Sequence, residues 1–99
     1  MWGSNRLIFI GSYGFANCEK LVNPHEFDAL SSISDYAFFN CKLMPYFTFK
    51  NQNTTVGDHA FDGCTNLTAL WGSNRLISIG SYGFANCEKL VNPHEFTIV

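Results

Sequence analysis

The chain has 99 residues, a formal charge of −2, 46% apolar and 16% aromatic residues, a composition that fits one small packed domain and excludes a disordered segment. That charge gives no electrostatic reason to expect nucleic acid or an anionic membrane as a partner. No apolar run approaches the roughly 18 to 20 residues that cross a bilayer, and residues 1–6 lack the charged-then-apolar pattern of an export signal, so no membrane insertion is expected.

In chain order, the first unit opens with the apolar pair Leu7/Ile10 and runs through Gly11-Ser12-Tyr13-Gly14-Phe15-Ala16-Asn17-Cys18 to Leu21. Ser12 is a residue type whose side-chain oxygen accepts from free N–H groups at a helix start, and Asn17 a type that tolerates a left-handed backbone, so a short helical turn is expected between them. The second unit repeats the design with Leu30/Ile33, Asp35, Tyr36, Ala37, Phe38, Asn40, Cys41 and Met44. Its continuation, Met44-Pro45-Tyr46-Phe47-Thr48-Phe49, alternates with period two and predicts a β-strand. In the third unit, Asn53/Val56 is a weaker apolar pair, followed by Asp58, His59, Ala60, Phe61, Gly63, Cys64 and Leu67. The fourth unit, from Leu76/Ile79 to Cys87 and Leu90, copies the first.

Two periods follow. Phe15, Phe38, Phe61 and Phe84 each precede Cys18, Cys41, Cys64 and Cys87 by three residues, and successive cysteines are 23 apart. Residues 2–27 recur as 71–96 with one difference, Phe9 against Ser78, which suggests a recent duplication or deliberate construction in a longer array. Units of this length cannot bury their own apolar faces and must stack on their neighbours. Residues 1–99 are therefore expected to form a single solenoid segment of about four 23-residue repeats. Each repeat would comprise a strand, a return segment and a turn, with like strands side by side in a parallel sheet about 4.8 Å apart. The phenylalanines and cysteines should form an inward structural ladder, and Tyr13, Tyr36, His59 and Tyr82 a second, partly buried stack. Unpaired strands and apolar rungs at both ends predict end-to-end self-association or poor solubility.

The phased pattern I-G-x-x-A-F-x-x-C-x-x-L resembles the BspA-like leucine-rich repeats over almost the whole chain. The resemblance implies a leucine-rich-repeat solenoid, with parallel β-strands stacked in a short right-handed superhelix with short helical turns. It also implies non-enzymatic recognition, since members of that family are typically surface-exposed proteins of bacteria and parasitic protists associated with adhesion and protein binding. A cell-surface or extracellular location rests on the same resemblance. No binding residues carry over, because the family has no fixed set. Pro24/Glu26 and Pro93/Glu95 depart from the pattern, which expects apolar residues there. Phe27 and Phe96, one residue later, are the candidates to fill the vacancy through a bulge.

The four cysteines could suggest disulfides or zinc. Side chains that run parallel and inward disfavour disulfides, and cysteines three rungs apart, about 14 Å, cannot share one zinc ion. A free-thiol ladder is the expectation. Cys18, His25 and Glu26 could be read as nucleophile, base and acid, but an inward thiol and an outward imidazole cannot exchange a proton. No catalytic residue, metal or cofactor is expected. The outward strand positions Asn23/His25, Tyr46/Thr48, Ala69/Trp71 and Asn92/His94 form a row that is apolar at its centre. Tyr and Trp are favoured interaction anchors, so this is the candidate face for a protein or other macromolecular ligand. The competing reading is a structural spacer or engineered repeat segment without a ligand of its own. Asn53 and Asn66 match the glycosylation pattern, which bears on the molecule only in a eukaryotic secretory setting.

Overall fold

The computed structural model describes residues 7–21, 27 and 29–90. The 23-residue period of the sequence is its spatial period. Strand β1 (Phe9–Ile10) pairs in parallel with β2 (Ser32–Ile33), and β2 with β4 (Thr54–Val56), through Phe9↔Ser32, Ile10↔Ile33, Ser32↔Thr55 and Ile33↔Val56. Strand β6 (Leu76–Ile79) closes this four-stranded sheet in the order β1-β2-β4-β6. A second parallel sheet joins β3 (Tyr46–Thr48) to β5 (Ala69–Trp71), through Tyr46↔Ala69, Phe47↔Leu70 and Thr48↔Trp71. Each coil of the chain is thus one rung, and equivalent residues sit above one another.

The alternating Met44–Phe49 segment supplies a strand as its pattern predicts, but the longer sheet lies in the segment expected to be a mere return. The Leu-x-x-Ile pair explains this. Leu30 and Ile33 are both buried, and the two residues between them lie extended across the neighbouring rung, so their backbone groups pair with it. The third rung departs from the pattern in an instructive way. Asn53 does not take the leucine slot; it lies exposed with φ of 62°, and Thr54 is buried instead, at 1% exposure. Threonine needs one partner for its hydroxyl, and Thr54 Oγ1 donates to the Asn51 carbonyl at 2.7 Å, whereas a buried carboxamide would need several. The one-residue shortening is absorbed by a register shift between Thr54↔Leu76 and Thr55↔Ser78, with Ile77 as the unpaired residue.

The turns at 11–18 and its equivalents contain bonds of the 3-10 kind, Gly14 N–H to Gly11 C=O, Ala16 to Tyr13 and Cys18 to Phe15. The intervening amides leave the turn altogether: Tyr13, Phe15 and Asn17 N–H donate to the carbonyls of Asp35, Ala37 and Phe39 on the next rung. The same ladder joins Tyr36, Phe38 and Asn40 to Asp58, Ala60 and Asp62, and His59, Phe61 and Gly63 to Ser81, Gly83 and Ala85. Asn17, Asn40, Gly63 and Asn86 have φ of 61°, 59°, 84° and 58°, the left-handed backbone their residue types favour. Tyr13, Tyr36, His59 and Tyr82 are left-handed too, at 61°, 61°, 55° and 59°, which the sequence does not announce. A bulky residue there costs about 1–2 kcal/mol, offset by the inter-rung bond its amide gains and by ring stacking. The expected cap also behaves differently. Asp35 and Asp58 accept from the amides of Asp58 and Ser81 at 2.8 Å, so each carboxylate ties its rung to the next one instead of capping its own turn.

The core lies between the two sheets and the turns. Phe38, Phe47, Phe61, Ile33, Met44, Leu67, Cys41 and Cys64 are fully buried there. Phe27 joins them, with ring centroids 6.1, 6.4 and 6.0 Å from Phe15, Phe38 and Phe47. It therefore lies in the core; Pro24, Glu26, Pro93, Glu95 and Phe96, and with them the expected bulge, lie outside the described residues. No helix among the described residues is long and apolar enough to cross a membrane.

Candidate recognition face

Period-two alternation decides what the β3/β5 sheet shows to solvent. Phe47 and Leu70, directly paired, point into the core, at 1% and 7% exposure, so their neighbours Tyr46, Thr48, Ala69 and Trp71 point out. Tyr46 is 37% exposed and Trp71 60%. Thr48 lies opposite Trp71 and Ala69 opposite Tyr46, so the two large rings sit diagonally across neighbouring rungs, each beside a small residue.

The backbone beneath Trp71 is held firmly. Phe49 N–H donates to the Trp71 carbonyl at 2.8 Å. Thr68 meets the Pro45 carbonyl with both its amide, at 2.9 Å, and its hydroxyl, at 3.0 Å, fixing the start of β5 on β3. Past Trp71 the chain turns at Gly72, whose φ is 77°, and a side chain there would collide with the Phe49 carbonyl. The following 3-10 turn (Ser73–Arg75) brings the Arg75 guanidinium onto that same carbonyl, at 3.0 Å. An indole presented on a fixed strand loses little further freedom on binding. Of the other expected face residues, Asn23, His25, Asn92 and His94 lie outside the described residues.

The inner ladder is a separate feature. Phe15 stacks on Phe38 at 5.3 Å, and Phe38 on Phe61 and Phe61 on Phe84 at 5.0 Å each, with interplanar angles of 6°, 15° and 14°. The four cysteines are free. Cys41, Cys64 and Cys87 donate their thiol protons to the carbonyls of Phe15, Phe38 and Phe61, one rung back, at 3.1, 3.2 and 3.1 Å. Burial pushes the Cys41 thiol up to about 12, and the neighbouring Cys87 thiol together with burial pushes Cys64 upward as well. Thiols held neutral inside a core are poor nucleophiles and poor metal ligands. Among the described residues no three His, Cys, Asp or Glu side chains converge as a metal site would require.

Outside the turns, Tyr13, Tyr36, His59 and Tyr82 stack at 4.8, 4.8 and 5.1 Å, within 13° of parallel. His59 breaks the tyrosine run together with a second change. Its Nδ1 lies 2.8 Å from Asp62 Oδ2, where rung two has the edge-on pair Tyr36/Phe39 at 5.3 Å. Asp62 Oδ1 also accepts from Asn86 Nδ2 at 2.8 Å, taking the place of the asparagine that Gly63 lacks. Asn53 is exposed on its left-handed turn, and Asn66 accepts from Lys89 Nζ at 2.8 Å. The sequence reading missed the exposed Ile8, Phe9 and Ile77. Each belongs to an outer rung; Ile8 and Ile77 hold the same outward slot of the repeat and are both 62% exposed, and Phe9 lies on the edge strand β1.

A family model described as "BspA type Leucine rich repeat region (6 copies)" matches residues 4–96. No curated protein and no solved structure matches the chain.

Proposed function

The chain belongs to the BspA-type leucine-rich repeat family, and on that premise we propose that it is a non-enzymatic recognition or adhesion module of a surface protein, engaging a macromolecular ligand through the outward face of β3 and β5. The family points to an interaction module in general terms. The observation that supports this face is the pair Tyr46/Trp71, two large rings exposed on a rigid two-strand platform where folding alone would be served by small or polar residues. Tyr and Trp anchors of this kind carry most of the energy in protein interfaces, whose hot-spot truncations cost about 2 kcal/mol or more.

The test is an array of purified extracellular proteins and glycans probed with the parent chain and with Trp71→Ala and Tyr46→Ala. A ligand of this face loses roughly thirtyfold or more in affinity with Trp71→Ala, the equivalent of about 2 kcal/mol, while circular dichroism stays unchanged. Ligands indifferent to both substitutions would rule the face out, and an array that captures nothing would favour the spacer reading.

A further inference from the structure

We propose that Tyr13 and Tyr36 form a site of oxidative cross-linking: a one-electron oxidant, a haem peroxidase turning over hydrogen peroxide, joins their stacked rings and staples neighbouring rungs covalently. The inference is independent of the recognition face, because both phenols stand outside the turns and no group of the β3/β5 surface takes part.

The backbone sets the pair. Tyr13 and Tyr36 occupy one slot of the repeat, and both take the left-handed conformation, with φ of 61° each. The Tyr13 amide donates at 3.2 Å to the carbonyl of Asp35, the residue immediately before Tyr36, and the Tyr36 amide is tied in turn to the Asp58 carbonyl at 2.9 Å. Backbones fixed in this way hold the rings one above the other, with centroids 4.8 Å apart and planes 4° from parallel. His59 covers the other face of Tyr36 at 4.8 Å, and Phe39 meets it edge-on at 5.3 Å, so Tyr36 is held on three sides. Two phenols kept face to face turn radical coupling from an encounter between molecules into a step within one.

The sequence makes the site selective. All four tyrosines of the chain are described. In the third rung the same slot holds His59, which stacks on Tyr82 at 5.1 Å and separates it from Tyr36. Tyr46 lies in β3, in the other sheet. Tyr13 and Tyr36 are thus the one stacked pair of phenols among the described residues. Tyr36 is half-buried, so its edge remains open to electron transfer.

The chemistry balances with peroxide as the acceptor. Each phenol gives one electron to the oxidant and its hydroxyl proton to solvent, leaving two phenoxyl radicals. Their unpaired electrons combine in a carbon–carbon bond between the ring positions ortho to oxygen. The hydrogen on each bonded carbon then leaves as a proton while the oxygen takes one up, and both rings are phenols again. In sum two hydrogen atoms leave the protein, and hydrogen peroxide accepts them to become two molecules of water. The link closes a loop across the turn ladder and removes conformations from the unfolded chain, as other covalent cross-links do.

The test treats the full chain, at low concentration, with a haem peroxidase and hydrogen peroxide, and follows dityrosine fluorescence, intact mass and peptide maps. The expected product is a monomer lighter by two hydrogen atoms, linked through Tyr13 and Tyr36, with a raised urea midpoint that thiol reductants do not reverse. Tyr13→Phe and Tyr36→Phe should each keep the circular dichroism of the parent and lower the dityrosine emission of the monomer roughly tenfold or more. Tyr82→Phe should leave that emission unchanged, whereas His59→Tyr, which completes the run of phenols, should add links from position 59 to Tyr36 or Tyr82. Absence of dityrosine, links found only between copies, an equal monomer yield from the urea-unfolded chain, or emission that survives Tyr36→Phe would each overturn the inference.

Discussion

The Asp35 carboxylate stands in the space that a side chain on Gly57 would need. Its Oδ1 lies 2.5 Å from the ideal Cβ position of Gly57 while accepting the Asp58 amide at 2.8 Å, and the Asp35 nitrogen is 2.7 Å from that position. The relationship recurs one rung on, between Asp58 and Gly80. At the first step, where Ser12 replaces the aspartate, the residue above is Ser34. Gly57→Ala is therefore expected to destabilise the chain by about 2 kcal/mol, with part of the loss recovered in an Asp35→Ser background. Urea unfolding of the four-member cycle measures this; a coupling of zero would show that the backbone contact alone excludes the methyl group.

The His59/Asp62 pair yields a second cycle. It occupies the slots of Tyr36/Phe39, so one self-consistent pair replaces another. Asp62→Ala removes the partner of both His59 and Asn86 and should cost about 1–2 kcal/mol. His59→Tyr with Asp62→Phe, which writes rung two's pair into rung three, should be closer to the parent in thermal stability than either single change. Additive losses would contradict the pairing.

Position along the stack sets the size of core losses. Phe38 and Phe61 each stack on two rungs and touch Phe47 edge-on at 5.1 Å, whereas Phe15 is half-buried in an outer rung. Phe38→Ala or Phe61→Ala should cost about 3–5 kcal/mol, and Phe15→Ala clearly less. Equal losses at all three, measured as urea midpoints at constant slope, would show that the rungs do not differ in burial as described.

Alkaline pH supplies a fourth prediction. The Cys41 thiol, near 9.0 when unfolded, is pushed to about 12 by burial in the fold. A group of raised folded pKa holds its proton in the native state after the unfolded chain has lost it. Its contribution is thus complete below pH 9 and is lost as pH climbs from 9 toward 12, at up to about 1.4 kcal/mol per pH unit. Stability should be flat across neutral pH in this respect and fall above 9, with Cys41→Val showing a shallower decline. An identical slope in parent and variant would contradict a buried neutral thiol.

Much of this arrangement was legible in the chain because four units sample every slot. The phenylalanine and cysteine spacing announces a stack, and Asn17, Asn40, Gly63 and Asn86 mark a left-handed turn by residue type alone. Other features were not legible, for physical reasons. Left-handed Tyr13 and Tyr36 contradict their own preference, and only the inter-rung bond and the neighbouring ring make that conformation affordable. The exchange of Asn53 for Thr54 in the core depends on a bulge in a strand 22 residues away, at Leu76, which no local pattern contains. Asp35 and Asp58 read as caps because their residue type is the same for either role; what distinguishes the roles is the proximity of the next rung. On the proposed face, alternation alone puts Tyr46, Thr48 and Trp71 on the side opposite the buried Phe47 and Leu70.

The central claim is that successive coils are joined through their turns by amides that skip to the next rung. Scalar couplings across hydrogen bonds, recorded by NMR on isotope-labelled protein, test it most directly. The account predicts couplings from the Phe15, Phe38 and Phe61 nitrogens to the carbonyl carbons of Ala37, Ala60 and Gly83. Couplings from those nitrogens to carbonyls within their own turns would contradict it.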